Sequence, residues 1–307
     1  MKITLLIAVS ERVEESNYLR LGNELHQRGH TVICCFMDSI AMQGGAVVAS
    51  GFTLTTPLQV NGDFPEQRLF RLAENDVVWT LTLGMRHSFL DKIQLLKCLQ
   101  ADTRLINSLD ALVHLKSKYF LASHPDVFQY PQTYSSTDPE FLEQIIRDQG
   151  GRWIVKPPAG SLGRDIFLLQ AGDPNLSVIL SMMTGPEADQ FCLMQPYVDE
   201  IQQGEKRVLI AGGKPVGQYL RRFGKDHRTN VSTGAAIELC GLSDAERQYC
   251  ETIGAFLVSQ GAQFVGLDLA YPWVIEFNVV TPGGIQTIID LGGEDLSAKI
   301  ISEIFAN

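Results

Sequence analysis

A chain of 307 residues, 45% hydrophobic and 20% charged, has the make-up of an ordinary folded protein and enough apolar mass for two or three compact units. Its 25 basic and 35 acidic residues give a net charge of −10, which speaks against general affinity for nucleic acid or an anionic membrane and leaves room for a local cationic pocket. The six cysteines, at 34, 35, 98, 192, 240 and 250, form no CxxC pair or zinc-like spacing, so they read as reduced, mostly buried thiols of a cytoplasmic protein.

The opening "MKITLLIAVSERVEE" reads as a first strand rather than a signal peptide, since its apolar run stops at Val9 and acids follow at once. No run is long enough to span a bilayer. "SNYLRLGNELHQRG" is a helix stopped by Gly29, and "HTVICCFM" is the next strand. An irregular stretch follows. "ENDVVWTLTL" and "TRLINS" are further strands, separated by the helical "SFLDKIQLLKCLQA". Strand alternating with helix predicts a doubly wound, parallel α/β sheet, and neither GxGxxG nor GxxxxGK is present in it.

The middle of the chain changes character. "DALVHLKSKYFLASHP" and "PEFLEQIIRDQG" read as helices, and "RWIVKPPAGSLGRDIFLLQ" as a hairpin around a glycine loop. "FCLMQPYV" is a buried strand, and "GEKRVLIAGGKPVGQYLRRF" is a meander turning at Gly212-Gly213. "SDAERQYCETIGAFLVSQG" is a helix with a capping box, Ser243 and Glu246, closed by Gly261. Two strands, "FVGLDLAYPWVIEFNVV", and a glycine-flanked helical tail complete the chain.

That last strand pair carries Asp268, Glu276 and Asn278 among apolar residues. Glu276 and Asn278 share a strand face, and a hairpin centred on Pro272 puts Asp268 opposite Glu276. Like charges side by side need a cation between them, and hard oxygen donors suit magnesium carrying a phosphate. The same spacing also fits a solvated sheet face. Lys156, at the end of "WIVK" and beside the glycine loop, is a sensible phosphate clamp, and Lys118 is a second candidate.

Taken in order, "KPPAGSLGRDIF", "AGDPNLSVI", "QPYVDEIQQGEKRVLIAGGKPV", "FVGLDL" and "EFNVVTP" resemble the ATP-grasp superfamily, and within it the bacterial glutathione synthetases, from about Asn107 onward. The resemblance implies an α/β (α+β) ATP-grasp architecture: an N-terminal doubly wound pre-grasp domain (1–119), a small lid with the glycine loop (120–196) and a C-terminal mixed-sheet catalytic subdomain (197–307). It implies ATP and Mg²⁺ as cofactors, two ions in number, with Mn²⁺ as an alternative. Lys118 and Lys156 would contact the phosphates under a lid loop that includes Gly160, Ser161 and Gly163. Gln195, Tyr197 and Val198 would form the adenine hinge, with Glu205 on the ribose and Asp268, Glu276 and Asn278 on the metal. Arg207, Arg222 and Arg228 would line the reacting centre, with Arg222 the first choice for the transferring phosphoryl group.

The implied activity is an ADP-forming carboxylate–amine ligation through an acyl phosphate, with γ-glutamylcysteine and glycine or a related small amino acid or peptide pair as substrates. On the substrate side the chain departs from the family. The family's Arg-Lys-Asp-Pro-Pro run is absent, Gln286 stands where the family has Arg, and Leu162 replaces the middle lid glycine. Arg86, Asn230, Thr281, Gly283, Gly284 and Gln286 are the candidate substrate residues. The family's habit implies a homo-oligomer, dimer or tetramer. The alternative of another class is a non-catalytic nucleotide-binding protein on the same fold.

Overall fold

Strand β1 (Lys2–Ile7) lies parallel to β2 (Thr31–Phe36) on one side, and on the other the sheet extends over strands Val77–Thr80 and Arg104–Ile106. Near-continuous apolar runs are what a parallel sheet covered on both faces requires, and Ile3, Leu5 and Leu6 have no exposed surface. The structure is a computed structural model and describes residues 1–99, 103–158, 165–222 and 236–306.

The segment read as irregular is in fact three strands: β3 (Ala41–Gln43), β4 (Ala46–Thr53) and β5 (Arg68–Arg71). They add an antiparallel edge to the parallel strands, now β6 (Val77–Thr80) and β7 (Arg104–Ile106). The order is β3-β4-β2-β1-β6-β7, with β5 also on β4. A Ser-Gly pair inside β4 hides its strand pattern. Gly51 is required there, because a Cβ would stand 2.1 Å from the Cys34 carbonyl oxygen.

A second sheet, ordered β10-β9-β11-β8, is built from β8 (Tyr134–Ser136), β9 (Arg152–Lys156), β10 (Phe167–Gln170) and β11 (Cys192–Pro196). The expected hairpin is β9–β10. Helices Pro139–Gln149 and Leu176–Thr184 pack on this sheet, giving it a core of its own around Leu142, Trp153, Leu180 and Met194. The segment read as one helix before it divides into Leu109–His114 and Lys118–Ala122. Ser117 caps the second helix, its hydroxyl oxygen accepting from the Tyr119 N–H.

The third sheet, ordered β14-β13-β12-β15-β16, contains β12 (Glu205–Ala211), β13 (Lys214–Arg222), β14 (Ala236–Leu239), β15 (Phe264–Ala270) and β16 (Trp273–Asn278). Gly212 and Gly213 have φ of 55° and 84°, the left-handed pair that a two-residue hairpin turn needs. The predicted capping box opens helix Asp244–Ser259. Unlike the second sheet, the third shares its core with the first. Leu209 and Tyr219 cluster with Leu5 and Trp79, and Val265 and Leu267 with Leu6 and Val78.

Asn107 pins this junction. Its amide donates to the Phe264 and Val279 carbonyls at 2.9 and 2.6 Å, and its oxygen accepts from the Gln263 and Phe264 N–H groups. Asn107 is 1% exposed, so truncation strands buried backbone groups. Asn107→Ala is expected to lower stability by about 2–4 kcal/mol, read from the midpoint of urea unfolding at unchanged slope.

Candidate active site

The face of the third sheet that packs on the first is apolar at Leu209 and turns polar from Arg207 onward. Register decides which side chains meet there. Glu205 is paired with Arg221, Arg207 with Asp268, and Asp268 with Glu276, so all five point to one side. Gly266 leaves room for Arg207 to lie across β15, since a Cβ there would stand 3.3 Å from Arg207 Cδ.

Asp268 is the centre of this face and is 5% exposed. Arg207 donates Nε to Oδ1 at 2.5 Å and Nη2 to Oδ2 at 3.0 Å. Arg221 Nη2 lies 2.8 Å from Oδ1 and also makes a short contact with Glu205 Oε1. Asn278 donates to Oδ2 at 3.3 Å. Burial alone would raise the Asp268 carboxyl, but the two guanidiniums outweigh it and hold the carboxyl below its ordinary value. Within this group two cations face two anions, and the charges cancel.

A second cluster adjoins it. Lys118, 5% exposed, lies 3.2 Å from Glu276 Oε1. Lys156 is buried and makes no ion pair among the described residues. Burial first, and Lys118 second, lower its ammonium from the ordinary 10.5 to about 8, with Glu276 and Glu205 opposing. These two lysines against Glu276 leave an excess of positive charge. Lys116 is exposed at the surface, and its ammonium is lowered by partial desolvation, then by the charges of Arg86 and Lys118. The Tyr130 hydroxyl, near Gln195 and Glu276, is buried without a hydrogen bond among the described residues, and burial raises it.

The remaining expected residues divide. Gln195 is buried and donates to Thr133 Oγ1 at 2.8 Å. The Tyr197 N–H is taken by the Arg152 carbonyl at 2.8 Å, with the Arg152 guanidinium 4.4 Å over its ring, and Val198 precedes the short helix Asp199–Gln203. Arg222 is not brought to the site. It is half-exposed, donates to Glu238 at 2.9 Å and to the Gln203 carbonyl at 3.0 Å, and its neighbour Arg221 takes the inward position. Gly160, Ser161, Gly163, Arg228 and Asn230 lie outside the described residues.

The loop after β16 is tied down from two sides. Arg207 Nη1 donates to the Gly283 carbonyl at 3.0 Å, and Asn17 of helix Asn17–Gln27 donates to Thr281 Oγ1 and the Pro282 carbonyl. Gly284 has φ 146°, and a Cβ there would press on the Tyr219 ring at 3.1 Å. Gln286 accepts a short bond from Arg20, whose other donors go to Glu15 and Asp295 at 2.9 Å. Asn17, Arg20, Tyr130 and Arg221 escaped the reading of the sequence. None sits in a recognisable motif, and only the fold brings the first helix to residues 281–286.

As donors for a metal, these residues fit in part. Glu276 Oε2 and Asn278 Oδ1 make no hydrogen bond among the described residues, and two such oxygens suit a magnesium that keeps waters and phosphate oxygens. Asp268 does not fit, because its acceptor sites are filled by arginines and Asn278. Among the described residues no three His, Cys, Asp or Glu side chains are grouped to hold an ion.

Three sheets with this order, and two buried lysines beside the charged face of the third, define an ATP-grasp architecture. Solved structures share it: D-cycloserine synthetase DcsG has a TM-score of 0.67 at 15% identity over 98% of both chains. The ATP-grasp ligase PsnB complexed with a phosphomimetic variant of minimal precursor, Mg, and ADP has 0.64 at 14%, covering 100% of this chain and 98% of its own. The family model for the prokaryotic glutathione synthetase ATP-grasp domain matches residues 117–293, and the chain belongs to that family. A glutathione synthetase of Gloeobacter violaceus is 29% identical over 90% of this chain and 87% of its own. That of Thermosynechococcus vestitus is 29% identical over 66% and 63%, and that of a Nostoc species 32% identical over 58% and 54%. The match thus spans less than two thirds of the latter two relatives.

Breaking the buried network tests its energetics. Arg207→Ala leaves Asp268 with Arg221 alone and is expected to cost about 3–5 kcal/mol in chemical denaturation. Adding Asp268→Asn should recover more than about 1 kcal/mol relative to the sum of the single changes, the signature of a coupled pair.

Proposed function

We infer that the chain is an ATP-dependent, ADP-forming carboxylate–amine ligase acting through an acyl phosphate. Its substrates are γ-glutamylcysteine and glycine, or a similar pair of small amino acids or peptides. It works as three units, 1–119, 120–196 and 197–307, the second closing as a lid over the other two. One observation carries this reading: Lys156, a buried cation with no ion-pair partner among the described residues, stands near Lys118 and Glu276. An uncompensated ammonium next to hard-oxygen donors is stable only with an anion that brings its own cation, and a nucleotide polyphosphate with magnesium is that ligand.

In this reading Lys118 and Lys156 hold the phosphates, Gln195, Tyr197 and Val198 flank the adenine, and Glu205 meets the ribose. Magnesium, or manganese in its place, held through Glu276 and Asn278, supplies charge neutralisation at the phosphate oxygens. A substrate carboxylate oxygen bonds to the γ-phosphorus as its bond to ADP breaks. An amine nitrogen then bonds to the acyl carbon, phosphate leaves and the nitrogen gives up a proton. No covalent nucleophile on the protein is required, so the protein contributes orientation, charge and exclusion of water. Arg207 fixes the loop Thr281–Gly284 against this centre, and Arg228 is a second arginine proposed to act there.

Six free thiols favour a cytoplasmic setting, and no helix among the described residues is long and apolar enough to cross a membrane. The protein acts as a homo-oligomer. ADP formation, assayed across amino-acid and dipeptide pairs, should be stimulated by one pair, and Glu276→Ala should lower the stimulated rate by about a hundredfold or more. Turnover of ATP that no pair stimulates would count against ligation.

The depressed Lys156 ammonium gives a pH signature. Free protein loses this proton near pH 8, whereas a bound polyphosphate favours the ammonium and raises its pKa. Nucleotide binding therefore takes up a proton above pH 8. Affinity is expected to be level below about pH 8 and to fall by up to about tenfold per pH unit above it. Titration calorimetry should show that fall, and Lys156→Arg, which stays charged, should abolish it.

A further inference from the structure

Asp268 has no acceptor site left for a metal ion. A carboxylate offers about four lone-pair positions. Arg207 takes one on each oxygen, Arg221 a second on Oδ1 and Asn278 a second on Oδ2. Arg221 also reaches Glu205, so one guanidinium binds two buried carboxylates that are 3% and 5% exposed. Holding two anions at one point is the service a divalent ion performs elsewhere. Here a side chain performs it, and a side chain cannot be chelated or diluted away. An ion arriving at Asp268 would have to displace that guanidinium and then sit beside it with like charge. Arg221 has one more donor. Its Nε is buried and unpaired among the described residues, a costly state unless a ligand oxygen meets it.

Resting on the nucleotide reading of this site, we propose that Arg221 is a built-in cation that takes the place of one divalent ion. The nucleotide is then held with a single ion, carried by Glu276 and Asn278, and the Arg221 Nε–H donates to a nucleotide oxygen. The two ions implied by family resemblance reduce to one.

Counting ions tests this without any turnover. Mn²⁺ is titrated into the full chain with a saturating non-hydrolysable ATP analogue, free Mn²⁺ is read by electron paramagnetic resonance, and bound analogue is measured separately by equilibrium dialysis. One Mn²⁺ per bound analogue is expected for the unsubstituted chain and for Arg221→Lys. Arg221→Met, which keeps the aliphatic stem and removes the charge, should bind two. Two ions per analogue in the unsubstituted chain would overturn the inference alone, as would one ion in an Arg221→Met protein whose circular dichroism shows it folded. If Arg221→Met does not fold, the count on the unsubstituted chain decides. Failure of the analogue to bind at all would overturn the nucleotide reading and this inference with it.

Discussion

A carboxylate buried on a sheet face is tolerated only if cations reach it with hydrogen-bonding geometry, and Asp268 meets that condition through Arg207 and Arg221. Much else follows from the requirement. Residue 266 is glycine because a Cβ there would stand 2.8 Å from Pro282 Cβ, and the same gap lets Arg207 lie across β15. The third Arg207 donor is then directed at the Gly283 carbonyl, so the loop after β16 is fixed by the same side chain that neutralises the sheet. Glu205 pairs with Arg221 directly across the strands, which extends the network to the open end of β12. The apolar part of the face, Leu209 with Tyr219, continues into the core shared with the first sheet. Packing thus positions the charges, and the charges in turn fix the loop.

The lysines obey a different constraint. Lys156 stands at the end of β9, on a sheet whose core of Leu142, Trp153, Leu180 and Met194 is separate from the other two. Two packed units with independent cores can shift relative to each other without opening either. The Arg207–Asp268–Arg221–Glu205 group belongs wholly to the third sheet and is neutral by itself. The excess positive charge lies with Lys156 and Lys118, where the second sheet and the following strands meet. An anionic ligand is therefore attracted to the junction.

Much of this was legible in the sequence where local rules act. The capping box at Ser243 and Glu246, the Gly212-Gly213 turn and the pairing of Asp268 with Glu276 all appear as the residues dictate. Arg221 was not legible, and the reason is one extra residue. Counting back from the turn, Ala211 pairs with Lys214 and Ile210 with Pro215, which would set Arg222 on the face of Glu205. A bulge between Leu209 and Ile210 shifts the register by one and turns Arg221 inward instead. The ties from Asn17 and Arg20 to Thr281, Pro282 and Gln286 were invisible for another reason. They join segments at opposite ends of the chain that meet only through tertiary packing.

Those ties also bear on what the site can accept. A guanidinium does reach Gln286, from Arg20. Its donors are nevertheless committed to Glu15, Asp295 and Gln286, so it holds the loop to the first helix and has no fork left for a carboxylate ligand. On the other side of Glu276 the balance is reversed. Lys116, though exposed, is lowered by desolvation and by the charges of Arg86 and Lys118, three cations on the side of one carboxylate. Crowded like charges are relieved by an anion, whereas a saturated arginine gains nothing from one. The loop from Thr281 to Gln286 is thus tied down by saturated contacts, while positive charge gathers around Glu276.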